Sequence, residues 1–222
     1  AASSAHAVSA DISGKNVPFA SASAIRELLD STLTQETIAQ ISAQIPDEAS
    51  SFFVSSLRNN GYLNEEILDD LLIYRIMYED AESLSQYLDV SGDLAERIIN
   101  CRNEISGFTQ AASLLKTKEL TQTRIQRALL HSILQILEAP LSVPYSRVLG
   151  FRKESSPLLK EIKKNSTLPV LTKLADSDAL LDETGKRLLS ETTAASNLYE
   201  KLLCKKNGQK FIHEYQKQIV IL

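Results

Sequence analysis

Apolar positions recur at helical spacing along most of this chain. Ile25, Leu28 and Leu29 give a short helix from about Ser23, and a second runs from Thr34 to Ala43. Pro46 suits the first turn of the next helix, with Glu48 near its positive end. That helix is expected to bury Phe52, Phe53 and Leu57 and to stop at Asn59-Asn60-Gly61. Asn64 is placed as the cap of a longer helix whose apolar face uses Ile67, Leu68, Leu71, Leu72 and Met77. Another begins at Asp80 or Ala81 and ends near Asp89. Ser91 caps a helix carrying Leu94, Ile98 and Ile99, which Ser106-Gly107 break. A short helix spans Phe108 to Leu115, and Thr121 caps a long one through Leu137. Residues 1–20 read as loop, punctuated by Gly14 and Pro18, with Phe19 closing a short extended piece.

The period changes after Pro144. "YSRVLGF" is short, β-branched and aromatic, "SSPLLKEIKKN" is helical with Pro157 in its first turn, and "TLPVLTKL" is extended again. Strand, helix and strand within 145–174 predict a βαβ unit with two parallel strands. Two helices, roughly 178–190 and 192–204, should follow, and "FIHEYQKQIVIL" fits strand or helix equally. The predicted class is mainly α: a multi-helix domain over 31–140, then a small α/β subdomain over 141–222.

Composition supports that reading. The 222 residues include only 7 Gly, 6 Pro and no Trp, which favours helix. Cys101 and Cys204 lie far apart, and His6, His131 and His213 have no ligand-spaced partners, so no metal site is expected. No Walker loop, nucleophile elbow or paired carboxylates stand out. No apolar run approaches the ~20 residues of a membrane span. The start, "AASSAHAVSA", lacks the features of a signal peptide and an initiator Met. The expectation is a cytoplasmic product that has lost its front end and has no membrane partner.

Charge is unevenly distributed. The net −4 averages an acidic stretch, 61–100, with ten Asp/Glu against Arg75 and Arg97, and a basic one, 145–175. The latter sets Arg147, Arg152, Lys153, Lys160, Lys163, Lys164 and Lys173 against Glu154 and Glu161.

Three stretches could hold anions. In "NVPFASASAIRELL", Ser21, Ala22, Ser23 and Ala24 are small enough for the backbone to approach a phosphate at a helix start, with Arg26 one turn in. A plain N-cap is the alternative. In "LLKTKELTQTRIQRALLH", Lys116 and Lys118 occupy a turn, and Arg124, Arg127, His131 and Gln135 follow at i, i+3, i+7 and i+11 as one polar stripe. The alternative is a solvated face paired to the acidic segment. The third is the helix with Lys160, Lys163 and Lys164, approached by Arg152 and Lys153; it too reads otherwise as a solvated face.

These stretches together resemble one family. "FASASAIRELL" resembles the phosphate turn of the HIGH-motif nucleotidyltransferase superfamily. "LLKTKELTQTRIQR", "YSRVLGF" and "ETTAASNLYEKLL" resemble the bacterial tRNA(Met) cytidine acetate ligases, with similarity from about Pro18 to about Leu203. The resemblance implies ATP-dependent activation of acetate to acetyl-adenylate, then acetylation of N4 of the wobble cytidine of elongator tRNA(Met). It implies that Ser21, Ser23 and Arg26 contact the phosphates of ATP, which would come with Mg. Residues 1–30 would then be the C-terminal edge of a nucleotide-binding domain. The HxGH half of that domain would be a missing N-terminal partner, so this chain alone is expected to be inactive. The RNA would lie on Lys116, Lys118, Arg124, Arg127, Arg152, Lys160, Lys163 and Lys164.

A second resemblance covers less. "LAERIINCRNEISGFTQAASLL" is similar to part of a helix-hairpin-helix module, a non-enzymatic nucleic-acid binder, with Ser91-Gly92 as one hairpin and "KTKELTQTR" in place of the usual second. A fragment of a small-molecule adenylyltransferase is a third possibility.

Overall fold

The computed structural model describes residues 7–10, 16–19, 22–30 and 34–222. They form two compact units, 1–64 and 65–222.

The first unit opens with an antiparallel hairpin, β1 (Ala7–Ala10) and β2 (Asn16–Phe19), in register Ala7↔Phe19 and Ala10↔Asn16. The extended piece expected to close at Phe19 is β2, and the rest of the expected loop includes its partner β1. Each strand has only four residues, too few for a period to show, and Pro18 is tolerated because both strands of a two-stranded sheet are edges. Helices α1 (Ala22–Asp30), α2 (Gln35–Ser42) and α3 (Asp47–Asn60) follow. The Thr34 hydroxyl caps α2 by accepting from Thr37 N–H at 3.1 Å. Ile41 and Leu57 are buried, but Phe52, expected inside, is 78% exposed. Phe53, Val54 and Leu57 share the inward face of α3, and Phe52 falls outside it.

The second unit begins with a 3₁₀ turn, Glu65–Leu68, that runs into α4 (Asp69–Tyr78). The tighter turn shifts the helical phase. Ile76 therefore takes the buried position expected of Met77, which faces out. The short α5 (Ala81–Leu84) starts with a capping box between Asp80 and Ser83. Then come α6 (Gly92–Cys101), α7 (Phe108–Leu114) and α8 (Gln122–Leu134). Leu72, Leu94, Ile98, Phe108, Leu115 and Leu129 anchor the core where these helices meet. Helix α8 stops three residues earlier than expected because Gln135 turns left-handed (φ 58°, ψ 38°) and donates its N–H back to the His131 and Ser132 carbonyls.

Beyond Pro144 the expected parallel pair is present. Strand β3 (Ser146–Arg147) pairs with β5 (Val170–Leu171), and α9 (Ser156–Asn165) crosses between them. The single strand expected over 145–151 is two, since β4 (Gly150–Phe151) turns away to a different partner. That partner is β6 (Val220–Ile221), also parallel, so the C-terminal segment ends as strand. A short α10 (Ser177–Leu180) precedes α11 (Glu183–Asn207). The latter is one 25-residue helix where two were expected. Thr192 directs its hydroxyl back to the Leu188 carbonyl at 2.8 Å, Thr193 is buried, and only Gly208, at φ 65°, ends the helix. Tyr145, Leu171, Leu174, Leu181 and Leu189 pack beneath the β3–β5 pair. Among the described residues no helix is long and apolar enough to cross a membrane.

Candidate nucleotide turn and nucleic-acid interface

The turn expected to hold phosphate lies partly within the described residues. Helix α1 starts at Ala22, so the Ser23 backbone sits in its first turn and Arg26, exposed, one turn later. The first N–H groups of such a helix have no intrahelical acceptor. Ser21 lies outside the described residues. The other end of α1 is tied within its unit by the Tyr62 hydroxyl, which donates to the Leu29 carbonyl.

The basic turn between α7 and α8 is built by threonines. The Thr117 hydroxyl accepts from Glu119 N–H at 3.2 Å and Leu120 N–H at 2.9 Å, and the Thr121 hydroxyl accepts from Arg124 N–H at 3.3 Å. Buried Leu115 anchors the turn, so Lys116 and Lys118 project outward with Glu119 beside them. Arg124 is exposed on α8, opposite buried Ile125, Ala128 and Leu129. Among the described residues, Lys116, Lys118 and Arg124 make no ion pair.

The rest of the stripe is differently employed. Arg127 donates to both carboxylate oxygens of Asp89, at 2.8 and 3.1 Å. His131 Nδ1 lies 3.2 Å from Asp89 Oδ2 and 3.0 Å from the Leu88 carbonyl. The hydrogen bond from Arg127 holds the Asp89 carboxyl below the usual carboxylate range against the opposing effect of burial, and the charges of Arg127, His131 and Arg124 add to it. Gln135, the last of the stripe, is the helix cap described above. Half of the stripe therefore ties α8 to the residue before Val90, in the acidic segment, and Arg124 with the lysine turn faces solvent.

Asp69, at the start of α4, caps α7. Its Oδ1 accepts from Phe108 N–H at 2.7 Å, and Gln110 Oε1 accepts from Ser106 N–H at 3.1 Å. Ser91, placed as the hairpin of the helix-hairpin-helix reading, caps α6 by accepting from Leu94 N–H at 3.3 Å.

On α9, Lys160 and Lys164 are exposed, and Lys163 donates from Nζ to the Thr172 hydroxyl at 2.7 Å. Arg152 is exposed just before the 3₁₀ turn leading into α9. The lysines at i, i+3 and i+4 repel one another unless an anion lies across them. No group of three or more His, Cys, Asp or Glu among the described residues is arranged to hold a metal.

The sequence did not single out one feature, a cleft of about 470 Å³ between the ends of β3 and β5 and the chain at 215–221. The signal was present in the βαβ prediction, because open parallel sheets place their crevices beyond the carboxyl ends of the strands.

A model of the family described as HIGH Nucleotidyl Transferase matches residues 3–214. The chain belongs to this family. Among its relatives is the tRNA(Met) cytidine acetate ligase of Thermoanaerobacter sp. (strain X514). It is 30% identical over 204 residues, which are 88% of this chain and 48% of the relative. The ligase of the same name from Listeria welshimeri is 30% identical over 194 residues, 87% of this chain and 46% of the relative. The chain thus spans about half the length of the curated relatives it matches. The fold is shared with crystal structures of Thermotoga maritima TmcAL. The one bound with alpha-thio ATP superposes at a TM-score of 0.80 with 18% identity, covering 93% of this chain and 53% of that one. The apo form gives 0.81 with 19% identity, covering 92% and 51%. This member of the HIGH nucleotidyl transferase family is therefore mostly helical with two small parallel strand pairs, on the same plan as those structures.

Proposed function

We propose that this chain is the C-terminal, RNA-binding part of an ATP-dependent ligase that acetylates N4 of the wobble cytidine of elongator tRNA(Met). The observation that carries the reading is the similarity to tRNA(Met) cytidine acetate ligases across nearly nine-tenths of the chain. In the proposed reaction an acetate oxygen attacks the α-phosphorus of ATP and pyrophosphate leaves. The cytidine amine then attacks the acetyl carbonyl and AMP leaves. Ser21, Ser23 and Arg26 hold the ATP phosphates, which arrive with Mg²⁺, at the start of α1. Residues 1–30 form the edge of the nucleotide-binding domain, 31–140 the helical domain and 141–222 the α/β subdomain. Lys116, Lys118 and Arg124 carry the RNA backbone, with Arg127 contributing from its clamp and Arg152, Lys160, Lys163 and Lys164 extending the track.

The test is acetate-dependent pyrophosphate release from ATP, with acetylcytidine measured in tRNA(Met). A longer polypeptide that joins this chain to an HxGH-bearing domain is expected to turn over, and this chain alone is not. Full turnover by this chain alone overturns the division of labour. Adenylation that is indifferent to RNA, with no acetylcytidine formed, favours a small-molecule adenylyltransferase instead.

A further inference from the structure

We propose that the cleft at the carboxyl ends of β3 and β5 binds a single nucleoside phosphate, its base stacked on Tyr215 and its phosphate held by Lys173 and Lys163. The cleft shares no residue with the turn at α1 or with the lysine turn before α8.

Position is the first argument. The two parallel strands end at Arg147 and Leu171, and the residues that follow, Val148-Leu149 and Thr172-Lys173-Leu174, form one side of the cleft. A crevice beyond the carboxyl ends of parallel strands is where open α/β sheets take ligands. At about 470 Å³ it suits one nucleotide and is too small for a duplex.

The charges give the second argument. Four cations border the cleft or reach its wall. Two are already balanced: Arg147 pairs with Glu214 at 2.7 Å, and Lys217 with Glu200 at 3.2 Å. The other two have no ion pair among the described residues. Lys173 lines the cleft, and Lys163 reaches from α9 to the hydroxyl of Thr172, which also lines it. Two unneutralised ammonium groups beside a hydroxyl donor match a phosphate.

The third argument is the one aromatic side chain in the cleft lining, Tyr215, which ends a run of neighbouring rings. Phe211, His213 and Tyr215 alternate along the segment that closes the cleft, with ring centroids 6.3 and 5.5 Å apart in succession. The segment is pinned to α11 through Asn197, which contacts His213 Nε2 at 2.9 Å and accepts from Glu214 N–H at 2.9 Å. Tyr215, at the end of this run and 46% exposed, lines the cleft, and Val148, Leu149 and Ile219 add apolar surface. A fixed aromatic face beside apolar side chains and cations is how proteins seat an unpaired base and its phosphate.

The nucleotide is either free or one unit of an RNA strand; the strand source rests on the RNA reading proposed above, whereas the nucleotide site does not. The experiment uses the full chain, labelled with ¹⁵N and titrated with CMP, AMP, cytidine, inorganic phosphate and a single-stranded hexaribonucleotide. CMP or AMP is expected to shift the amides of 148–149, 172–175 and 215–219. Lys173→Glu and Tyr215→Ala should each weaken binding by about tenfold, and cytidine and phosphate alone should bind at least about tenfold more weakly than CMP. Tyr215→Leu, which keeps apolar bulk without the ring face, should weaken it similarly and guards against a folding defect in the alanine variant. Mononucleotide shifts scattered outside the cleft, wild-type affinity in Lys173→Glu and Tyr215→Leu, or phosphate binding as tightly as CMP overturns the proposal. A hexamer that binds more tightly than CMP through the same amides supports the strand source. A hexamer that fails where CMP binds supports the free nucleotide, and the site stands while the RNA reading loses ground.

Discussion

Arg127 and Asp89 are joined by two hydrogen bonds, 2.8 and 3.1 Å long, between the middle of α8 and the residue before Val90. Asp89 has a left-handed backbone, φ 66°, which presents its carboxylate to both Arg127 and His131. Of the two readings of the stripe, a phosphate track or a face paired to the acidic segment, the second holds for Arg127 and His131, and charge reversal at Arg127 would set two carboxylates against each other.

Asp89→Asn isolates the charge, because asparagine tolerates the left-handed conformation as well as aspartate does. Its effect at neutral pH should be small, a Tm lower by about 2–4 °C at most, because the Arg127 side chain is more than half exposed. The pH dependence is the sharper readout. The folded carboxyl sits below its ordinary value, so its contribution is complete above about pH 4 and is lost as pH falls through the depressed value. Thermal melts between pH 2 and 7 should show wild type and variant converging in acid. A constant gap between them would mean that Asp89 acts through packing and not through charge.

Asp69 and Gly107 form a second fastener. A methyl group on Gly107 would lie 2.8 Å from Asp69 Oδ2, so Gly107→Ala must expel the carboxylate that caps α7. Asp69→Ala should cost about 1 kcal/mol, as for other lost helix caps. Gly107→Ala should cost about as much, and the double variant little more than either, since all three lose the same bond. Chemical denaturation of the set measures the coupling; additive losses would show that Gly107 matters for another reason.

Gly150 faces backbone instead of a movable side chain. A Cβ there would lie 2.9 Å from the Val220 carbonyl oxygen and 3.1 Å from Val220 Cβ. The close approach lets Val220 N–H reach Leu149, Leu222 N–H reach Phe151 and Lys153 N–H reach Leu222, at 3.2, 3.1 and 2.9 Å. Gly150→Val should detach β6 while leaving the helices intact. Hydrogen exchange should then accelerate at the amides of Lys153, Val220 and Leu222 with little change in circular dichroism. Unaltered protection at those amides would contradict this account.

Most of the helical pattern and the caps at Ser91 and Thr121 were legible because they are local, whereas Asn64, expected to cap a helix, precedes the 3₁₀ turn and Leu68 holds the cap position of α4. Ser91 and Thr121 each accept from the third residue on, as their places before apolar runs implied. The β3–β5 pair was legible because a βαβ unit fits within thirty residues. Long-range or chemically disguised features were not. Strand β6 finds its partner seventy positions earlier in the chain, and neither stretch signals the other. The end of α8 is made by a glutamine where glycine is the usual marker, so the helix read as longer than it is. For the candidate sites, the sequence revealed which residues are cationic but not which are already paired. Nothing local to Arg127 points to Asp89, thirty-eight positions away. Lys173 was counted as charge and became a candidate ligand only when its cleft was seen.

The lysine turn offers the cleanest test of RNA binding, because its cations carry no structural duty. Lys116, Lys118 and Arg124 project from a turn held by threonine hydroxyls and backbone, and the buried face of α8 lies on the other side. Lys116→Glu, Lys118→Glu and Arg124→Glu should leave the helical signal unchanged. If these groups meet phosphates, each replacement should weaken tRNA binding by ~1–3 kcal/mol and lower the slope of log affinity against log salt by about one unit. Arg127→Glu belongs in the comparison as the variant expected to lose stability along with affinity. Binding isotherms at four salt concentrations, with a melt of each protein, separate the two effects. Unchanged affinity and slope in the three folded variants would reduce the turn to a solvated surface and leave α9 and the cleft at β3 and β5 to carry the RNA contact.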